Sequence, residues 1–493
     1  MCRRVLPLLL ATALLAACMQ EGEDPLEAGT STTTEDDGST TTTGAGEFTP
    51  DPLEWDECGG VECSTLAVPL DYEDPDGDQI ELYIVRTPAS GKRIGALFVN
   101  PGGPGASAAE IAEYLVLSLP EEGTDHFDIV GVDPRGVGGS TAIACGMSPA
   151  ELYGVDGTFE DAEDKAAYLD VSEEYVEDCE EKYGDVLPHL GTADVARDMD
   201  AVRAAMGDEQ LSYLGYSYGT VIGQVYADLF PDRVRSMVLD GVVELGPTGL
   251  ESADEQAAGF ETALARFAQY CDAAEGCGTA GNTLEAVEDV LRLAEEPGGI
   301  PVDGDAGKVG PGEANLGISY ALYSQSLWRT LGDALLDALD GDGGSLLELA
   351  EDYHDIGAFE IYFAVNCLDF AWPVGDPDAV FAQGKATAQE SPHFGEALVN
   401  DYVRCAMWPT PSVPLEPVTA PGTPPILVVS TTGDPATPYE SGVAVADRLE
   451  SGVLVTNEGD GHGVVANGKP CIDDLVAAYL VENVVPDDGY TCE

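Results

Sequence analysis

The stretch LGYSYGTVIG, residues 214–223, sets Ser217 between Gly215 and Gly219 where an apolar run gives way to a helical pattern. LSYLGY reads as a strand, and the residues from about Tyr218 to Leu229 read as the helix that follows it. A serine on a strand-to-helix turn, flanked by glycines that let the two elements pass closely, is the pattern of a nucleophile elbow. In a chain with 58 glycines, G-x-S-x-G also arises easily by chance. Its meaning therefore depends on what surrounds it.

Apolar runs and helical stretches alternate from residue 80 onward, as in an α/β sheet. IELYIVRT (80–87), GALFVN (95–100), FDIVGVD (127–133) and VRSMVLDG (234–241) read as strands. Thr192 is placed to cap a helix with the apolar face Val195, Met199, Val202 and Met206, stopped by Gly207. From Pro247 to about residue 410 helical periodicity takes over, as in ETALARFAQYC and SLWRTLGDALLDAL. The strand–helix rhythm resumes at PPILVVSTTGD (424–434) and continues through a helix to Leu449, GVLVTNEGDGH (452–462) and a last helix, IDDLVAAYLVENV. The simplest architecture is a core sheet in two parts, 53–246 and 411–493, interrupted by a mostly helical insertion at 247–410.

A serine hydroxyl is a weak nucleophile and needs a base, itself oriented by a carboxylate. In this fold class the chain order is serine, acid, histidine. Three histidines follow Ser217: His354 and His393 fall in the helical insertion, and His462 follows a strand of the resumed sheet. The acid is expected at the end of the preceding strand, where Asp434 stands. Asp460 is the rival, but two positions from His462 in one loop it is poorly placed to orient that imidazole. Acyl transfer also needs an oxyanion hole. The N–H of Tyr218 supplies one donor, and the bare backbone of Gly102-Gly103, after an earlier strand, supplies the other.

These motifs together resemble a known family. NPGGPGASA, DPRGVGGS, GYSYGT, LFPDRVRSMVLDGVV, GDPATP and GHG are similar to segments of the bacterial tripeptidyl aminopeptidase group of α/β-hydrolase serine peptidases, relatives of the prolyl aminopeptidases. The likeness extends through AVPLDY, LYSQSLW and NCLDF over about residues 55–493. It implies an α/β-hydrolase fold with a helical lid inserted between the two halves of the core sheet. It also implies Ser217, Asp434 and His462 as the triad, Gly103 and Tyr218 as oxyanion donors with Gly102 as the alternative, and no cofactor. The prolyl branch carries His before Gly-Gly-Pro-Gly, whereas this chain has Pro101, as the tripeptidyl branch does; strict proline specificity is not expected. Substrates would be peptides with a free N-terminus. Recognition of that α-ammonium calls for a carboxylate, for which Asp369 in NCLDF is the candidate, with Glu360 behind it. An esterase or lipase shares every triad feature, and a surface lipoprotein with a silent site is the remaining alternative.

The ends and the composition set the surroundings. Arg3 and Arg4, an apolar core from Val5 to Leu14 and Leu15-Ala16-Ala17-Cys18 resemble a lipoprotein signal over 1–17 that leaves Cys18 as the acylated first residue. Residues 18–52 are rich in Thr, Ser, Gly and acids and read as a disordered tether. The expectation is a monomer in the cell envelope, touching the membrane only through that anchor. Beyond Cys2 and Cys18, ten of the 12 cysteines remain, which suits five disulfides in an exported chain. Neighbours in order would pair: Cys58–Cys63, Cys145–Cys179, Cys271–Cys277, Cys367–Cys405 and Cys471–Cys492. No paired C-x-x-C spacing points to zinc. Asp74-Pro-Asp76-Gly-Asp78 departs from a calcium loop and reads as a hairpin turn, and DGDGG (340–344) as a helix end; no metal is expected. With 91 acidic residues against 20 basic ones, nucleic acid is an improbable partner, and a saline habitat would suit the charge.

Overall fold

The computed structural model describes residues 48–159, 161–302, 307–356 and 359–493. The signal segment, nearly all of the tether and Cys18 lie outside them. Among the described residues there are twelve strands: β1 (Asp56–Cys58), β2 (Val61–Pro69), β3 (Gln79–Thr87), β4 (Gly95–Asn100), β5 (Phe127–Val132), β6 (Leu211–Tyr216), β7 (Val234–Asp240), β8 (Ile300–Pro301), β9 (Lys308–Val309), β10 (Ile426–Gly433), β11 (Gly452–Asp460) and β12 (Tyr490–Cys492). Ten of them form one sheet in the order β1-β2-β3-β5-β4-β6-β7-β10-β11-β12. The first three strands pair antiparallel, β3 also runs antiparallel to β5, and every pairing from β5 onward is parallel. This is the α/β-hydrolase fold, with the two parts of the sheet joined where β7 pairs with β10.

The central strands are short apolar runs because both sheet faces are covered by helices. Every residue of β4 and β5 is buried. Side chains alternate between faces: Ala96 and Phe98 enter one core and Leu97 and Val99 the other. On the first face lie Val195, Met199 and Val202 of helix Thr192–Ala205 and Val221, Ile222 and Val225 of helix Gly219–Leu229. On the second lie Leu115 of helix Ala108–Ser118 and Ile472, Val476 and Leu480 of helix Pro470–Glu482. Thr192 begins its helix and does not cap it; Gly191 is the cap, and the Thr192 hydroxyl meets Tyr218 Oη at 3.1 Å.

Between β7 and β10 the regular structure among the described residues is helical, apart from the β8–β9 pair. Part of this insertion has its own core, in which Phe267, Trp328, Leu331 and Leu335 are all fully buried. Each such side chain contributes roughly 1.5–3 kcal/mol of burial, so the insertion holds its own shape. Its second half packs against helix Ala162–Tyr183, which precedes β6. Phe159 meets Phe381 at 5.1 Å, Tyr175 meets Phe363 at 5.8 Å, and Tyr168 Oη donates to Asp401 at 2.7 Å. The same helix places Tyr168, Tyr175, Val176 and Cys179 in the cluster that also holds the first face of the sheet, so it joins the insertion to the core.

All five neighbouring cysteine pairs are brought together, with Cα–Cα separations from 4.6 to 6.2 Å. The Asp74–Asp78 segment is the turn of the β2–β3 hairpin, where Leu70 N–H donates to Asp78 O at 2.8 Å. Helix Trp328–Leu339 ends at Asp340, so DGDGG follows a helix end. Among the described residues no group of three or more His, Cys, Asp or Glu is placed to hold a metal.

If each of the 20 Lys and Arg paired with one carboxylate, 71 negative charges would still be unmatched. The Debye length falls from about 30 Å at 0.01 M salt to about 3 Å at 1 M. The folded chain holds its charges closer together than the unfolded one, so screening favours folding. The melting temperature is expected to rise steadily from 0.01 to 1 M NaCl at fixed neutral pH. A flat or falling curve would show that local spacing already relieves the repulsion.

Candidate active site

The elbow is built as the glycines require. β6 ends at Tyr216, Ser217 adopts φ 52°, and helix Gly219–Leu229 begins two residues later. That left-handed backbone is unusual for a residue with a side chain. It is held by Ser217 N–H donating to Asp240 O at 3.0 Å and by Thr220 N–H donating to Ser217 O at 2.8 Å. A Cβ on Gly215 would stand 2.5 Å from the Gly219 carbonyl oxygen, so neither strand nor helix could approach as it does. Ser217 lines a cavity together with Gly103 and Tyr218.

The loop after β4 runs directly over this turn. A Cβ on Gly102 would stand 2.7 Å from Tyr218 N and 2.9 Å from Ser217 Cβ. The Gly102 N–H donates to Asn100 Oδ1 at 2.9 Å, which leaves Gly103 as the loop glycine facing the cavity. Of the two loop glycines, Gly103 is the one that lines the cavity, beside Tyr218.

Asp434 follows β10 and His462 follows β11, and these neighbouring parallel strands bring their loops together. His462 Nδ1 lies 2.9 Å from both Asp434 carboxylate oxygens. The carboxylate is completely buried and is anchored by the amides of Ala436 and Thr437, each donating to Oδ1 at 2.9 Å. The Thr437 hydroxyl donates to Oδ2 at 3.0 Å and lies 3.2 Å from His462 Nδ1. These contacts occupy Nδ1 and leave Nε2, which is buried and has no hydrogen-bond partner. Burial pushes the imidazole pKa down, but the Asp434 charge and hydrogen bond outweigh it, helped by Asp240, and hold it above the usual value. Asp460 is engaged elsewhere: it pairs with Arg266, and its Oδ2 accepts from Gln325 Nε2 at 3.0 Å.

Three contributors escape the sequence reading. Thr437 is the small polar residue three positions after the acid. Asp240, the buried end of β7, accepts the amides of Val464 and Val465 at 2.7 Å each and so fixes the loop that carries His462. Burial pushes its carboxyl up to about 6. Tyr323, from the insertion, accepts the His462 N–H on its carbonyl at 2.9 Å and meets the imidazole edge-on at 5.4 Å.

The expected ammonium site is placed differently. Asp369 is only 3 % exposed, and its Oδ2 already accepts Tyr218 Oη–H at 2.7 Å and Thr192 N–H at 2.9 Å. It stands behind Tyr218 and does not line the cavity. Glu360 belongs to helix Phe359–Asp369, and its side chain lies outside the described residues. The carboxylates that do line the Ser217 cavity are Glu244 and Glu255. Glu244 pairs with Arg448. Burial, followed by the charges of Glu244, Glu251 and Asp254, raises the Glu255 pKa above its ordinary value.

A family model described as TAP-like protein matches residues 391–492. The serine protease Hip1 of Mycobacterium tuberculosis is 38% identical over 478 residues, covering 90% of this chain and 91% of that protein. Carboxylesterase B of the same organism is 36% identical over 458 residues, covering 88% and 86%. The tripeptidyl aminopeptidase of Streptomyces lividans is 33% identical over 472 residues, covering 89% and 86%. With its α/β-hydrolase fold, this chain belongs to the tripeptidyl-aminopeptidase-like family of serine hydrolases.

Proposed function

We propose that the protein is a serine exopeptidase that releases residues or short peptides from the free N-terminus of peptide substrates. The observation that carries this reading is the Ser217 cavity itself, whose wall bears Glu244 and Glu255 and no lysine or arginine. A peptide α-ammonium entering it would meet Glu255, Glu244 being paired with Arg448, at a distance from the nucleophile set by the length of the acyl segment. In the reaction, His462 Nε2 takes the Ser217 proton as the hydroxyl attacks the scissile carbonyl, and Asp434 stabilises the imidazolium. The amides of Gly103 and Tyr218 hold the tetrahedral oxyanion. The imidazolium then protonates the leaving amine, and water, deprotonated by the same nitrogen, releases the acyl-enzyme. The helical insertion acts as the lid that limits how long a segment can enter.

The same reading places the enzyme outside the cytoplasm, as a monomer tethered through acylated Cys18. Its support is the set of five cysteine pairs at bonding separation, which an oxidising compartment would close. The carboxylesterase relative favours a second reading, ester hydrolysis at the same serine. The two are separated by comparing free-amine peptide nitroanilides, their N-acetyl counterparts and short acyl esters. Blocking the amine is expected to lower kcat/KM by about 10- to 100-fold, the worth of a charge-assisted hydrogen bond. Glu255→Gln should reproduce that loss on free-amine substrates and leave the blocked ones unchanged. Equal cleavage of free and blocked peptides, or a preference for esters, would replace the exopeptidase reading.

A further inference from the structure

A second cavity adjoins the first: Gln256, Tyr362 and Tyr402 line both. Gln256 is fixed in place by donating to Ala436 O at 3.0 Å, in the loop that carries Asp434. All of the second cavity's wall except Tyr153, Val155 and Gly157 comes from the insertion. Its wall is aromatic, with Tyr153, Tyr323, Tyr353, Tyr362, Tyr402 and Phe260 supplying the rings. The hydroxyls of Tyr362 and Tyr402 bond each other at 2.6 Å, which leaves their ring carbons to the space. One carboxylate, Asp401, is present, but it is paired with the buried Arg404 at 3.1 Å and accepts Tyr168 Oη–H. The site therefore has no net charge to attract a cation, and its surface suits a neutral ring.

Its position relative to the chemistry gives it a role. The first cavity holds Ser217 and Glu255, the carboxylate proposed for the N-terminal ammonium, so the acyl part of the substrate belongs there. Tyr323 lines the second cavity and is also the residue packed against His462, the group that protonates the leaving amine. A chain leaving past His462 meets Tyr323 next. Resting on the peptidase reading above, we infer that the second cavity is the leaving-group subsite and takes a neutral aromatic side chain from the residue after the scissile bond.

The test uses free-amine peptides identical up to the scissile bond, with Ala, Leu, Phe, Tyr, Asp or Lys immediately after it. Wild-type kcat/KM is expected to be roughly 10-fold or more higher for Phe and Tyr than for Ala, as for a well-filled apolar pocket. Lys and Asp should gain nothing over Ala. Leu316 and Ser319 are half-buried on helix Pro311–Leu322 and line the space, so a larger side chain there grows into open volume. Leu316→Trp should bring the Phe-to-Ala ratio close to one, and Ser319→Phe should do the same independently. A ratio unchanged in both variants would overturn the assignment. So would a change that tracks the residues before the bond, because the cavity would then hold the acyl segment. A Lys preference lost in Asp401→Asn would show that the site takes a cation. Failure of the wild type to cleave any of the peptides would be a different result, removing the peptidase reading and this subsite with it.

Discussion

Ser217→Ala is expected to lower turnover by roughly 10³ to 10⁶ while leaving KM and the melting temperature nearly unchanged. The size of the loss follows from removing the attacking hydroxyl at the elbow. With no hydroxyl at the elbow, an acyl-enzyme cannot form, and only oxyanion stabilisation and binding remain to help water attack. The small effect on stability follows from how the turn is held. Its fixed contacts are made by backbone, from Ser217 N–H to Asp240 O and from Thr220 to Ser217 O, and alanine keeps both. Alanine also keeps the Cβ that packs under the Gly102 loop, and it bears the left-handed φ no worse than serine does. Labelling by a fluorophosphonate should vanish together with turnover. A variant that retains more than about a thousandth of wild-type kcat, free of contaminating wild type, would show that the nucleophile lies elsewhere.

The central sheet is legible in the sequence because β4, β5 and β6 are buried on both faces, which writes them as unbroken apolar runs between glycines and prolines. The edge strands β1 and β12 are three residues each and carry no such pattern. Each has a paired cysteine, Cys58 to Cys63 of β2 and Cys492 to Cys471 of helix Pro470–Glu482, so covalent linkage takes the place of apolar burial. Asp434 and His462 could be chosen from chain order because parallel strands deliver successive loops to one end of the sheet. The insertion offers no such rule. Glu255 stands on helix Gly249–Ala273 in a strongly acidic chain, and nothing local distinguishes it from its neighbours Glu251 and Asp254. Only the fold-back of that helix over the elbow sets it beside Ser217. Asp369 shows the converse. Its place next to Cys367 is visible in NCLDF, yet its partners Thr192 and Tyr218 lie 177 and 151 residues away, and they turn it from the cavity into a support behind the oxyanion hole. Helix Ala162–Tyr183 shows its buried face at helical spacing through Tyr168, Tyr175 and Cys179, but not the partner that face will meet.

Asp434→Asn is expected to cost roughly 10⁴ in kcat, against a change of no more than a few-fold for Asp460→Asn. The isosteric amide fits the same pocket and keeps an oxygen for the amides of Ala436 and Thr437. Its NH2 group then faces His462 Nδ1, which must become an acceptor, so the ring proton moves to Nε2. A protonated Nε2 cannot accept the Ser217 proton. Asp460 has no such link, because its carboxylate is turned to Arg266 and Gln325. The pH profile supplies an independent reading. The base works only as neutral imidazole, so kcat/KM is present above the His462 pKa and is lost as pH falls through it. Asp434 and, more weakly, Asp240 raise that pKa against the effect of burial, so the wild-type acid limb should lie above the ordinary histidine value of about 6.5. Asp240, itself pushed up to about 6, titrates in the same range, and the limb should be fitted as a coupled pair. Removing the Asp434 charge should shift the midpoint of the residual activity to lower pH; Asp460→Asn should leave it in place. If Asp460→Asn instead caused the larger loss and the shift, the acid of the triad would have to be reassigned to the loop that carries His462.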